Sequence, residues 1–175
     1  KNFFYLLKKI KFCHFLNANA ILSKRKYSFY SIVNCESDYD YFVTGSDQVW
    51  NLSLTDGDTR YFLDFVSPEK KKSYAASFGK NEIEAQLVNL HKALLSSFKD
   101  ISLREISAID IFKQLQIEKK LFVHIDPTLL FDGNWWARFC EDTPKYEYIL
   151  FYKVAIPDML VSYVEELSSK TGIQV

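Results

Sequence analysis

From Lys71 onward, short apolar runs alternate with segments of helical periodicity. No other feature of this sequence restricts the fold as tightly. "KKSYAASFG" reads as a strand ending at Gly79. "NEIEAQLVNLHKALLSSF" reads as a helix with Asn81 as N-cap and Ile83, Leu87, Leu90 and Leu94 along its buried face, which leaves His91 exposed. "DISL" is a strand, and "REISAIDIFKQLQ" a helix that Arg104 opens. "KKLFVHI" is a strand running into Asp126-Pro127, with His124 as a satisfied core residue. "GNWWARFC" is a short helix and "YEYILFY" a strand. "PDMLVSYVEELSSKT" is a helix opened by Pro157 and capped by Gly172, and "IQV" begins another strand. Strands that alternate with helices build βαβ units around a mainly parallel sheet, so the fold class is α/β.

Ahead of that rhythm, "KNFFYLLKKIKF" has helical spacing, and "SKRKYSFYSIV" is ambiguous. "YDYFVT" is a strand that Gly45 ends. "LTDGDTR" is a turn, and "RYFLDF" is short, apolar and broken by Ser67-Pro68. The 175 residues fit one domain, or one domain and part of another. The chain starts at Lys1 without an initiator Met and stops in "GIQV", so a piece of a longer protein is expected. The acidic, Pro-containing "EDTPKY" (141–146) reads as a linker. It divides residues 1–142 from a second domain beginning at 143.

Composition narrows the function classes. Hydrophobic residues make up 48% and aromatic residues 17%, enough apolar surface for a core. The 22 basic and 22 acidic side chains cancel, so no global field recruits nucleic acid. The charge is uneven, however: residues 1–35 hold seven Lys or Arg and no acid. Such a basic, aromatic segment can touch phosphate or an anionic membrane, and peripheral membrane contact through residues 1–30 is kept as an expectation. The competing reading, a helix with a solvated basic face, agrees with the usual behaviour of charge runs. Cys13, Cys35 and Cys140 are odd in number and lack metal-ligand spacing, which favours structural thiols in a reducing compartment. No metal site is expected, and no apolar run approaches the roughly 18 residues of a membrane span.

In parallel sheets ligands gather beyond the carboxyl ends of the strands. The candidate segments are therefore Gly45–Gln48, Ser77–Gly79, Arg104–Glu105 and Asp126–Thr128. Gly45 permits a sharp turn and a close backbone approach. Ser46 and Asp47 either cap the next turn over a buried Trp50 or contact a ligand, with Asp47 able to orient a hydroxyl or act as acid or base. Arg104 either grips an anion by its fork geometry or pairs with Glu105 or another acid. Asp126-Pro127 with Thr128 reads as a turn that orients the following helix. Ser77 either touches a ligand or packs as a small residue under a helix.

Taken in order, "YDYFVTGSDQVWN", "YFLDF", "KKSYAASFG", "ISLRE" and "HIDPTLLFDGNWW" resemble the polysaccharide pyruvyl transferase family, from about Tyr39 to "YILFY". The resemblance implies a glycosyltransferase-B-like architecture of two Rossmann-like domains, of which this chain carries mainly the first, without its opening unit. It implies transfer of a pyruvyl group from phosphoenolpyruvate to a sugar of a bacterial surface polysaccharide or its precursor, giving a pyruvate ketal, with no cofactor beyond the donor. The reaction would take place in the cytoplasm, at the inner face of the membrane. Asp47 is then the candidate catalytic residue. Gly45, Ser46, Gln48, Ser77 and Arg104 are candidate substrate contacts, Arg104 cradling the anionic donor and the main acid lying in the other half of the protein. Two other classes stay open at this point: a nucleotide-sugar-dependent glycosyltransferase and a non-catalytic glycan-binding domain.

Overall fold

The computed structural model describes residues 2–140, 144–152 and 158–175. Part of the "EDTPKY" linker and the Pro157 helix start lie outside the described residues. The chain forms two compact units, Lys1–Leu130 and Phe131–Val175.

The first unit opens with helix α1 (Asn2–Asn19), longer than its periodic stretch. Four three-residue strands follow: β1 (Phe42–Thr44), β2 (Lys71–Ser73), β3 (Ile101–Leu103) and β4 (Leu121–Val123). β1 pairs with β2 in parallel, Phe42 opposite Lys71, and β3 pairs with β4 in parallel, Ile101 opposite Leu121. A parallel bridge between Ala76 and Leu103 links the two pairs. The four strands therefore lie side by side in chain order, as an α/β pattern requires.

The strands are shorter than their apolar runs, for a local reason. Ala75 has φ +46°, which bends the chain out of the ladder after Ser73. The run "KKSYAASFG" is thus a three-residue strand, a kink and a single bridge. Ser102 repairs the gap, its Oγ accepting from Ala75 N at 2.9 Å while Ser73 Oγ accepts from Ser102 N at 2.8 Å. Backbone groups stranded by the kink are thereby satisfied by side chains.

Helices α2 (Val88–Ser96) and α3 (Ala108–Gln114) occupy the connections between β2 and β3 and between β3 and β4. α3 buries Ala108, Ile111 and Phe112, with Leu115 behind them, a helical stripe of standard spacing. α2 departs from expectation. Asn81 does not cap it. A short 3-10 helix, Ala85–Leu87, precedes it and leaves Leu87 at the N-cap. The buried face is then His91 and Leu95, while Leu90 is exposed. His91, expected in solvent, is 1% exposed. Its Nδ1 lies 3.0 Å from the Leu87 carbonyl and its Nε2 3.3 Å from the Trp50 carbonyl. His124, expected as a satisfied core residue, is exposed just beyond β4, yet it has a partner: its Nδ1 lies 2.7 Å from Ser102 Oγ, and Tyr74 and Phe122 stack with its ring.

Trp50 centres the core. It is fully buried and packs with Phe62, Phe78 and Phe98 at centroid distances of 5.9, 5.4 and 5.7 Å. Each such ring removes roughly 150–250 Å² from water, so this cluster is a principal anchor of the unit. It also fixes the end of the Gly45–Trp50 segment, because Trp50 Nε1 donates to the Tyr61 carbonyl and Trp50 N to the Ser77 carbonyl.

In the second unit, α4 (Gly133–Ala137) is capped by Asp132, whose side chain accepts from Trp135 N. Phe131 stacks on Trp135 at 4.0 Å. α5 (Asp158–Thr171) ends at Gly172, whose N–H donates to the Ser168 carbonyl. The runs "YEYILFY" and "IQV" meet in a single parallel bridge, Tyr148 to Gln174, rather than as full strands.

Candidate active site

The first unit has a cleft of about 590 Å³ at the carboxyl ends of its strands, lined by Gly45, Ser46, Asp47, Arg104, Asp126 and Thr128, with Val49 and Pro127. β1 delivers the first three of these residues, β3 delivers Arg104 and β4 leads to Asp126. Gly45 is required by space as well as by conformation. It has φ +117°, and a Cβ there would clash with the Tyr74 carbonyl oxygen. The turn therefore presses directly against the kinked end of β2.

Asp126 is the hub. Its Oδ2 accepts from Ser46 Oγ at 2.6 Å, and its Oδ1 accepts from Thr128 N at 3.0 Å and Thr128 Oγ1 at 2.7 Å. Arg104 Nη1 stands 3.5 Å from Oδ2. The Ser46 hydrogen bond first, then those from Thr128, with Arg104 adding less, hold its pKa down at about 2. At neutral pH Asp126 is an ionised acceptor and positions Ser46 and Arg104.

Arg104 lies at the strand end and does not open a helix, since α3 begins only at Ala108. Its Nε donates to Glu105 at 2.6 Å, and its Nη1 lies 3.7 Å from Asp47. Burial opposes its charge, but the Glu105 hydrogen bond and the neighbouring carboxylates outweigh it and raise its pKa. Nη2 has no hydrogen-bond partner among the described residues, so the guanidinium of this cleft-lining residue keeps donor capacity.

Asp47 sits on the rim. It has φ +57°, its side chain is 88% exposed, and its carbonyl accepts from Ser77 N at 3.0 Å. The backbone is thus pinned while the carboxylate reaches out. Gln48 and Ser77 do not line this cleft. Ser77 is fully buried and its Oγ accepts from Gly79 N at 2.9 Å. Gln48 lies over Gly79, where any Cβ would strike its amide, and its Oε1 accepts from Asn51 Nδ2.

Gly45, Ser46, Asp47 and Arg104 therefore come together as the sequence reading places them. The structure adds Asp126 and Thr128, which that reading assigned to a structural turn. The signal for them was the Asp-Pro-Thr at a strand end, and only the distance from Ser46, 80 residues away, reveals the partnership.

A guanidinium and paired polar groups thus converge at the carboxyl ends of the parallel strands of an α/β unit, the place where such sheets commonly bind ligands. The model of the polysaccharide pyruvyl transferase family matches residues 1–171, and the chain belongs to that transferase family. No curated protein and no solved structure matches the chain.

Proposed function

We propose that this protein transfers a pyruvyl group from phosphoenolpyruvate to two hydroxyls of a sugar in a bacterial surface polysaccharide or its precursor, forming a pyruvate ketal. The observation that carries the reading is Arg104, set in the strand-end cleft of a family member, with no hydrogen bond from Nη2 among the described residues. A guanidinium grips carboxylate or phosphate oxygens in a bidentate way.

The chemistry assigns roles to the neighbours. The methylene carbon of phosphoenolpyruvate takes a proton, one sugar hydroxyl adds to the resulting cationic carbon, phosphate departs, and the second hydroxyl closes the ketal. Both hydroxyl protons must be removed. Asp47, exposed in side chain and held in backbone, suits contact with an acceptor hydroxyl. Asp126, already ionised, supplies no proton at neutral pH and serves to hold Ser46 and Arg104. Arg104 faces three carboxylates, so a donor carrying several negative charges needs further cations. A second Rossmann-like domain in a glycosyltransferase-B-like arrangement would supply them, together with the acid. The reading places the reaction in the cytoplasm at the inner membrane face. Among the described residues no helix is long and apolar enough to cross a membrane.

Phosphate release from phosphoenolpyruvate by the full-length protein, measured with a panel of lipid-linked and nucleotide-linked sugars, tests this. Release that depends on one class of acceptor is expected. No release across the panel, with stabilisation by a nucleoside diphosphate sugar alone, would replace the reading with glycosyl transfer.

A further inference from the structure

His124 does not line the Arg104 cleft, yet a run of contacts joins its ring to it. Its Nδ1 lies 2.7 Å from Ser102 Oγ. That Oγ also accepts from Ala75 N at 2.9 Å, and its own proton has no other acceptor among the described residues. With Nδ1 as a bare acceptor, the Ser102 proton is placed and every group is satisfied. With a proton on Nδ1, the buried Ser102 hydroxyl would be left with a donor and nowhere to direct it, which is costly. The contacts therefore assign the tautomer in which Nδ1 accepts and Nε2 carries the proton.

Ser102 in turn holds the Ala75 kink from one side, and the cleft holds it from the other. Ala75 has φ +46°, a conformation that a residue other than glycine keeps only where its surroundings fix it. Its N–H goes to Ser102. Its carbonyl lies 3.0 Å from Ser46 Oγ, the hydroxyl that also donates to Asp126. The next residue carries the link to the guanidinium. Ala76 N donates to the Ser102 carbonyl at 3.0 Å, and the Ala76 carbonyl accepts from Arg104 N at 3.1 Å. On the other side of the kink, the Tyr74 carbonyl fills the space beside Gly45. The Tyr74 ring stacks on His124, with centroids 5.6 Å apart and planes 7° from parallel. His124 is itself tied down, since its N–H donates to the Leu103 carbonyl at 2.9 Å. Gly45, Ser46 and Arg104 thus rest on residues 74–76, and His124 braces those through Ser102 and Tyr74.

The geometry points to His124 as a positioning residue of the cleft: by accepting from Ser102 it fixes the Ala75 kink that supports Ser46 and Arg104, and so sets how firmly the cleft holds an anion. The proposal rests on the transfer reading above only for the identity of that anion. Ring and acceptor can be separated by substitution. His124→Phe keeps an aromatic partner for Tyr74 and removes the nitrogen. His124→Asn removes the ring and carries an amide oxygen at the place of Nδ1.

These two variants and Ser102→Ala, each made in the full-length protein, test the proposal by two measurements. NMR of the ligand-free protein follows exchange of the Ala75 amide and the position of the Arg104 Nε–H signal. Calorimetry follows binding of phosphoenolpyruvate. His124→Phe and Ser102→Ala should speed Ala75 exchange about tenfold, move the Arg104 signal and weaken phosphoenolpyruvate about five- to tenfold, the effect of losing one hydrogen bond. His124→Asn should keep all three near their wild-type values. Wild-type behaviour in His124→Phe, equal impairment in His124→Phe and His124→Asn, or unchanged affinity despite a moved Arg104 signal would each overturn the proposal. Should His124→Phe fail to fold, Ser102→Ala and His124→Asn still decide it: a Ser102→Ala variant like wild type, or an impaired His124→Asn, overturns it. A wild type that does not bind phosphoenolpyruvate refutes the donor. In that case an Arg104 signal that moves in His124→Phe and returns in His124→Asn supports the positioning role, and an unmoved signal overturns it.

Discussion

Asp126 is where residue chemistry can be measured most directly. Its pKa is depressed from the ordinary 3.8 to about 2. A depressed carboxylate contributes stability that is complete above the unfolded value, near pH 4, and is lost as the pH falls through about 2. With allowance for solvent screening this is worth about 1–2 kcal/mol. A carboxyl-detected NMR titration should find a midpoint near 2, and Ser46→Ala should move it upward by removing the largest cause. An unchanged midpoint in that variant would contradict the hub role. Gly45 gives a second test. An added Cβ would clash with the Tyr74 carbonyl on a backbone with φ +117°. Gly45→Ala should cost about 3 kcal/mol or more, read as a lowered thermal midpoint. A variant as stable as wild type would mean the turn has another way to pack.

At the scale of elements, the order of strands and helices was legible because apolar periodicity is a local property of the chain. Element limits and burial were less so. Nothing in "KKSYAASFG" announces that Ala75 will turn left-handed, since that turn depends on Ser102 from another strand satisfying the freed N–H. His91 reads as a surface residue of α2 because imidazole is polar. Its burial depends on two carbonyls, one of them 41 residues away. The role of Asp126 was hidden in the same way: like Gly45–Asp47 and Arg104 it stood out as a residue beyond a strand end, but its partner Ser46 is remote in sequence. His91 joins α2 to the Trp50 carbonyl, at the end of the site turn. His91→Leu keeps an apolar filling and leaves that carbonyl buried without a partner. It should lose about 1–3 kcal/mol in urea unfolding. Stability equal to wild type would show that the helix holds the turn by packing alone.

For the whole molecule, a cationic, apolar N-terminal stretch contrasts with a remainder that carries seven more acidic than basic side chains. Tyr5, Leu6, Ile10 and Phe12 of α1 are exposed, among Lys8, Lys9 and Lys11. Peripheral contact with an anionic membrane predicts co-sedimentation with vesicles rich in acidic lipid, weakened by raised salt. Retention by neutral vesicles alone would assign the contact to the apolar side chains. The central claim concerns the cleft, where strand ends from β1, β3 and β4 converge on one guanidinium. Calorimetric titration of phosphoenolpyruvate into the full-length wild type and the Arg104→Ala variant tests it most directly. The account predicts salt-sensitive binding that weakens about 10- to 100-fold in the variant, the loss of a charge-assisted pair. Equal affinities in a folded variant would contradict it.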